Sequence, residues 1–327
     1  MSFEKLNQIF DNLKIDAKCV NHYTTSTSNF YDVELGNKTT INKFSSLIKD
    51  IELRIKSNGS LFFQVIPEKG IIKLQDLNNN FNNINFDNLI PIKKKDTFIL
   101  GKDYHDNTIE SDFSLHPHTL IAGATGSGKS MALHHIVCNA LIDGNIDLYL
   151  SDSKNVEFNI YKKHNKVKFF ASSYDENIHM LENISNMMEQ RFHIMSLFNS
   201  NNYKKVYGID PVFIIIDEMS DLILQDKDQK FKNLLLKIAQ KSRAAGIFIV
   251  AATQRPSVDV LSGSIKANFP ARIALKTASV MDSKVILDQP GAEILKGKGD
   301  AIIKNDQYVF TRFKFSFIDP VKILKNI

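Results

Sequence analysis

The chain is poor in cysteine: Cys19 and Cys138 are the only two among 327 residues. Two distant thiols give neither a disulfide framework nor a thiolate metal cluster. Cys138 falls in helix-compatible sequence and reads as a small core residue. No apolar run approaches the ~20 residues of a membrane-spanning helix. The opening, Met1-Ser2-Phe3-Glu4-Lys5, lacks the charged-then-apolar pattern of a secretory leader. A cytoplasmic location without a membrane span is therefore expected. Internal repeats and low-complexity tails are missing too. Charge of one sign is not extreme: the net value is +5, which permits a polyanionic partner without demanding one.

What remains is ordinary globular composition, 43% hydrophobic and 24% charged, enough for one large domain and a smaller one. Residues 1–95 read as a small α+β domain and connector. Phe3, Leu6, Ile9, Phe10 and Leu13 have helical spacing, as do the apolar residues between 41 and 55. Residues 30–35 and 61–66 read as strands. Residues 76–95 are asparagine-rich, end in Lys93-Lys94-Lys95, and read as an irregular connector with a solvated basic face.

From 96 to 327 the pattern changes to alternating strands and helices. Strands are expected at 119–122, 147–150, 168–171, 212–216, 247–251, 272–275 and 301–303. A long helix is expected from 175 to 198, its apolar stripe facing the core. The fold class is α/β, a mainly parallel sheet covered on both faces.

Residues 123–130 read Gly-Ala-Thr-Gly-Ser-Gly-Lys-Ser, a complete phosphate-binding loop between an apolar strand and a helix start. Gly123, Ala124, Thr125, Gly126, Ser127 and Gly128 would turn backbone N–H groups toward an anion at a positive helix N-terminus. Lys129 would reach the β- and γ-phosphates of ATP, and the Ser130 hydroxyl would hold Mg²⁺.

Hydrolysis needs a second acidic site. The apolar run 212–216 ends in Asp217-Glu218, at the strand edge where open α/β sheets place ligands. Asp217 would hold Mg²⁺ through water, and Glu218 would orient or deprotonate the attacking water. Gln254, after the strand at 247–251, is a candidate sensor of the γ-phosphate. Arg243, Arg255 and Arg272 are candidates near that edge for stabilising the transferring phosphoryl group. Spacing alone does not choose among them.

These motifs resemble the FtsK/SpoIIIE family of DNA translocases. The block from His118 to Ser130 looks like the family's phosphate loop, and Asp152-Ser153-Lys154-Asn155-Val156-Glu157 is similar to its Asp-Pro-Lys block, with serine for the usual proline. More diagnostic are Arg243-Ala244-Ala245-Gly246-Ile247 and Ala252-Thr253-Gln254-Arg255-Pro256-Ser257-Val258-Asp259-Val260. So are the blocks 265–274 and 282–293, closed by Gly297-Lys298-Gly299-Asp300. Ile99-Leu100-Gly101-Lys102-Asp103 is similar to the segment that enters the motor's ATPase domain.

The resemblance implies a RecA-like P-loop NTPase domain behind a small α domain, assembled as a hexameric ring around double-stranded DNA. ATP and Mg²⁺ would be the cofactors, and an arginine of one subunit would complete its neighbour's site. Lysine-containing sequence near 257–266 would face the DNA. The family's membrane-spanning region and winged-helix DNA-reading domain have no counterpart in these residues. A separate recruiting or DNA-reading protein and a mobile-element setting are therefore expected. The rival expectations are a conjugation or packaging ATPase and a protein-secretion ATPase of the same superfamily. A nucleotide-binding scaffold without transport is disfavoured by the intact Asp217-Glu218 pair.

Overall fold

The computed structural model describes residues 3–25, 28–57, 61–77 and 96–326. Most of the expected connector, including Lys93-Lys94-Lys95, lies outside the described residues. The chain divides into two compact units. One comprises Met1–Asn83, Tyr104–Asn107 and Ile294–Lys296; the other comprises Ile84–Asp103, Thr108–Glu293 and Gly297–Ile327.

The first unit contains α1 (Phe3–Asn12), β1 (Ala17–Thr24), β2 (Ser28–Leu35), α2 (Ile41–Ser46), α3 (Ile48–Ile55), β3 (Phe62–Ile66) and β4 (Ile71–Leu77). Its antiparallel sheet has the order β1-β2-β4-β3. Leu6, Ile9 and Phe10 of α1 and Ile48, Ile51 and Ile55 of α3 share a core with Tyr31, Val33, Ile72 and Leu74 of the sheet. One helix was expected over 41–55; two form, because Leu47 leaves helical geometry at φ −96° and ψ 1°.

The second unit begins with β5 (Thr97–Asp103), β6 (Thr108–Asp112), β7 (His118–Ala122), α4 (Lys129–Asp143), β8 (Asp147–Ser151), β9 (Val167–Ala171) and α5 (Tyr174–Leu197). It continues with β10 (Val212–Ile216), α6 (Met219–Gln225), α7 (Lys230–Lys241), β11 (Ile247–Thr253), α8 (Gly263–Asn268) and β12 (Ala271–Leu275). It ends with α9 (Val280–Leu287), β13 (Asp300–Lys304), β14 (Thr311–Phe315) and α10 (Pro320–Asn326). The strands form one ten-stranded sheet in the order β6-β5-β14-β13-β12-β7-β11-β10-β8-β9.

From β12 to β9 every pairing is parallel; from β13 to β6 every pairing is antiparallel. The seven strands expected in this region all form; β10 keeps its expected bounds, and the other six are extended by one or two residues. β5, β6 and β14 were not expected. β6 is mostly polar, and β14 carries Arg312 and Lys314 at 4% and 9% exposure, so neither shows an apolar run. Arg312 is tolerated there because its guanidinium grips Asp300 with two bonds of 3.0 and 2.6 Å.

α5 starts with a reciprocal cap: Ser173 accepts from the Glu176 N–H, and the Glu176 carboxylate accepts from the Ser173 N–H. Its core stripe ends at Met195; Phe198, expected in the stripe, is exposed. Two registers decide where chemistry can gather. Ala122 of β7 lies opposite Thr253 of β11, and Ile216 of β10 lies opposite both Ala251 of β11 and Ser151 of β8. The parallel strands therefore end together, and the segments after β7, β8, β10 and β11 meet at one edge.

Candidate nucleotide-binding site

Residues 123–128 leave β7 and deliver the chain into α4. Gly126 and Gly128 adopt φ +76° and +108°, a backbone that L side chains rarely take. Gly128 is also tightly confined, since a Cβ there would lie 2.4 Å from the Gly299 nitrogen. Three backbone bonds brace the loop. The Gly123 N–H donates to the Thr253 carbonyl, the Ala124 N–H to the Lys276 carbonyl, and the Gly299 N–H to the Ser127 carbonyl. The first turn of α4 points its N–H groups out of the helix at this position. Loop and helix start thus form a cradle fit for phosphate oxygens.

Lys129 is 4% exposed, and a buried ammonium must be paired. Its Nζ donates to the Asp217 carboxylate and to the Asp217 carbonyl, both at 2.5 Å, and lies 3.8 Å from Glu218 Oε2. Lys129 was expected to reach phosphates; here Asp217 holds it. Burial pushes the Asp217 carboxyl above the usual range, Lys129 opposes that shift, and Glu157 and Asp152 add to it. Four carboxylates and one lysine thus converge at this edge.

Glu218 is the N-cap of α6, yet its side chain does not cap that helix. Its Oε1 accepts from the Thr253 hydroxyl at 2.7 Å and the Ser220 hydroxyl at 2.7 Å, and its Oε2 from the Gln254 N–H at 2.9 Å. The carboxylate is therefore held in one orientation. The Gln254 side-chain oxygen accepts from the Thr125 hydroxyl at 2.9 Å, which joins the end of β11 to the phosphate loop. Ser130, expected to hold Mg²⁺, donates to Glu157 Oε1 at 2.5 Å.

The arginines need correcting. All three were expected near this edge, but of these Arg255 lies there, exposed and directly after β11. Arg243 precedes β11, whose chain runs toward the loop, so it sits at the opposite end of the sheet; its Nε donates to the Ser114 carbonyl at 3.0 Å. Arg272 stands at the second position of β12, opposite Leu120, and its Nη1 donates to Asp288 at 2.6 Å and to the Ile286 carbonyl at 3.1 Å.

Sequence reasoning did not place Glu157 or Thr253 in the site. For Glu157 the available signal was its membership in the block after β8, since β8 neighbours β10. For Thr253 it was the hydroxyl directly before Gln254 at the strand end. Asp217 and Ser130 fit a magnesium–nucleotide group chemically: hard oxygen donors stand beside a phosphate cradle, and the Ser127 hydroxyl is buried there without a partner.

Fold and site together define a P-loop nucleotide-binding protein with a RecA-like sheet. Comparison with known proteins narrows the class. The profile of the FtsK/SpoIIIE family matches residues 93–210 and 208–258, and the chain belongs to that family. The DNA translocase FtsK of Clostridium acetobutylicum is 32% identical over 325 residues, spanning 92% of this chain and 42% of the relative. The DNA translocase FtsK of Streptococcus pyogenes serotype M3 is 29% identical over 355 residues, spanning 98% and 43%. The chain therefore spans about two-fifths of the curated relatives it matches. Among solved structures, the pCW3 conjugation coupling protein TcpA with ATPγS has a TM-score of 0.71 at 23% identity, covering 99% of both chains. The type VII secretion ATPase EccC of Thermomonospora curvata has a TM-score of 0.61 at 22% identity, covering 71% of this chain and 30% of that one. These structures share the fold.

Proposed function

We propose that the chain hydrolyses Mg·ATP and uses the energy to move double-stranded DNA, as a hexameric ring. The observation that carries the chemistry is Glu218, a carboxylate oriented by Thr253, Ser220 and Gln254 at the mouth of a phosphate cradle. Bound magnesium would neutralise charge on the β- and γ-phosphates, with Ser130 and Asp217 as its protein-side holders. Lys129 exchanges its Asp217 partner for phosphate oxygens. Glu218 takes the proton of the attacking water. Gln254, tied to Thr125, couples the state of the phosphate loop to β11.

Family membership and the FtsK relatives support DNA as the cargo. A ring built from head-to-tail contacts joins unlike faces of neighbouring copies. Arg243, at the far end of β11, is accordingly the arginine suited to a neighbour's nucleotide, whereas Arg255 belongs with its own chain's site. Contacts to the duplex would be phosphate-directed and salt-sensitive. Among residues 257–266, Lys266 is already paired with Asp288 at 2.7 Å, so a DNA role for it requires that pair to open.

A second reading, DNA transfer in conjugation, is favoured by the end-to-end correspondence with TcpA and changes the partner but not the cargo. Electron microscopy of the purified chain with ATPγS and linear duplex tests the proposal. Rings threaded by DNA are expected; copies that stay solitary with both ligands present would refute it.

A further inference from the structure

The segment between β8 and β9 has no role in the reading above, yet its Glu157 touches the helix that carries Ser130. Asp152 is fully buried and fixes this segment twice. Its Oδ2 accepts from the Phe158 N–H at 2.8 Å, and its carbonyl accepts from the Asn155 N–H at 3.0 Å. Phe158 and Tyr161 are both buried in the large core directly afterwards. Glu157 is thus presented between two anchors. One of its oxygens accepts from the Ser130 hydroxyl at 2.5 Å; the other lies 3.6 Å from Nε2 of His134, one turn along α4 from Ser130. His134 is held in turn by Tyr161, whose hydroxyl is 2.9 Å from Nδ1.

A serine hydroxyl has one hydrogen and two lone pairs. With its hydrogen committed to a carboxylate, Ser130 Oγ can present only lone pairs elsewhere. The negative partner also polarises the O–H bond and makes the oxygen a better donor to a cation. Asp217 Oδ1 is taken by Lys129, and the Ser130 hydrogen goes to Glu157 instead.

We infer that Glu157 is a positioning residue for magnesium: it fixes and polarises the Ser130 hydroxyl so that the metal of Mg·ATP meets a ready oxygen ligand. Glu157 acts through Ser130 and not on the phosphates. This rests on the nucleotide-site reading. It goes further by assigning Glu157, in the block at 152–157, to the magnesium dependence of nucleotide binding.

The test is titration of the full chain with a fluorescent ATPγS analogue, once in Mg²⁺ and once in EDTA. Wild type, Glu157→Gln and Ser130→Ala are compared with the double variant. Glutamine keeps size and shape, so folding is retained, and the EDTA arm monitors it independently. Loss of an outer partner typically weakens metal affinity about 10–100-fold. Glu157→Gln is therefore expected to weaken Mg²⁺-dependent binding by about tenfold or more while binding in EDTA stays within about twofold. In the double variant the Glu157 change should add little, since its route runs through Ser130. Undiminished Mg²⁺-dependent binding in Glu157→Gln would overturn the inference. So would equal loss in EDTA, or full additivity with Ser130→Ala. If wild type bound no nucleotide in either arm, the nucleotide-site reading itself would fall.

Discussion

Gly128→Ala isolates the strain that shapes the phosphate loop. The new methyl would lie 2.4 Å from the Gly299 nitrogen, 3.0 Å from its Cα and 3.2 Å from the Lys298 carbonyl carbon. All three are backbone atoms, so no rotamer change relieves the contact. The residue would also sit at φ +108°. A sparsely populated backbone costs about 1–3 kcal/mol, and forced overpacking costs about 1–3 kcal/mol more. Together these give about 2–6 kcal/mol. Gly126→Ala serves as the control: its φ is +76°, but a Cβ there meets nothing within 4 Å. Its cost is backbone strain alone, about 1–2 kcal/mol.

For a domain of this size about 1 kcal/mol lowers Tm by roughly 2–4 °C. Without nucleotide, Gly128→Ala should therefore melt about 4–24 °C below wild type and Gly126→Ala about 2–8 °C below. Thermal unfolding followed by circular dichroism measures both. A Gly128→Ala protein melting within a degree of wild type, or one more stable than Gly126→Ala, would refute the claim that Gly299 is packed against the loop.

Further outcomes follow from other contacts. Glu218→Gln should retain nucleotide binding while phosphate release falls about 10²–10⁴-fold, the usual worth of a general base; unchanged turnover would exclude Glu218 from that role. Thr253→Val keeps the shape but removes one donor to Glu218, so turnover should fall by less than in Glu218→Gln with nucleotide affinity unchanged, as read in the same assay. Arg312→Ala leaves the Asp300 carboxylate, 1% exposed, without its bidentate partner. Stability in urea should drop by about 3–5 kcal/mol. Asp288 supplies a pH effect. Burial raises its carboxyl, but bonds from Lys266, Lys304 and Arg272 outweigh that and hold it well below the usual range. A lowered folded-state value contributes stability above the unfolded value of about 4, lost as pH falls through the folded one. Acid titration of Tm should thus be shallower in Asp288→Asn, by a modest amount because the side chain is 45% exposed.

The central parallel strands β7, β10 and β11 were legible because each is fully buried, as in Val212–Ile216, and runs into a motif whose chemistry needs a strand end. The antiparallel half was not, because β14 buries Arg312 and Lys314 and reads as a polar segment until Asp300 is placed beside it. Lys129, Ser130, Asp217 and Glu218 could be named from local motif grammar. Their present partners could not: Glu157 meets Ser130 from 27 positions away, and Thr253 meets Glu218 from 35. Arg243 failed for a related reason. It precedes β11 and so lies at that strand's amino end, whereas the parallel register with β7 puts the phosphate loop at the carboxyl end.

Under the proposed function, nucleotide turnover at Glu218 is coupled to duplex DNA. Phosphate release by the purified chain, measured in Mg²⁺ and low salt with and without linear duplex, addresses it most directly, with Glu218→Gln as background. Turnover is expected to rise when duplex is added and to lose this stimulation as salt is raised. A wild-type rate indifferent to duplex under those conditions would contradict it.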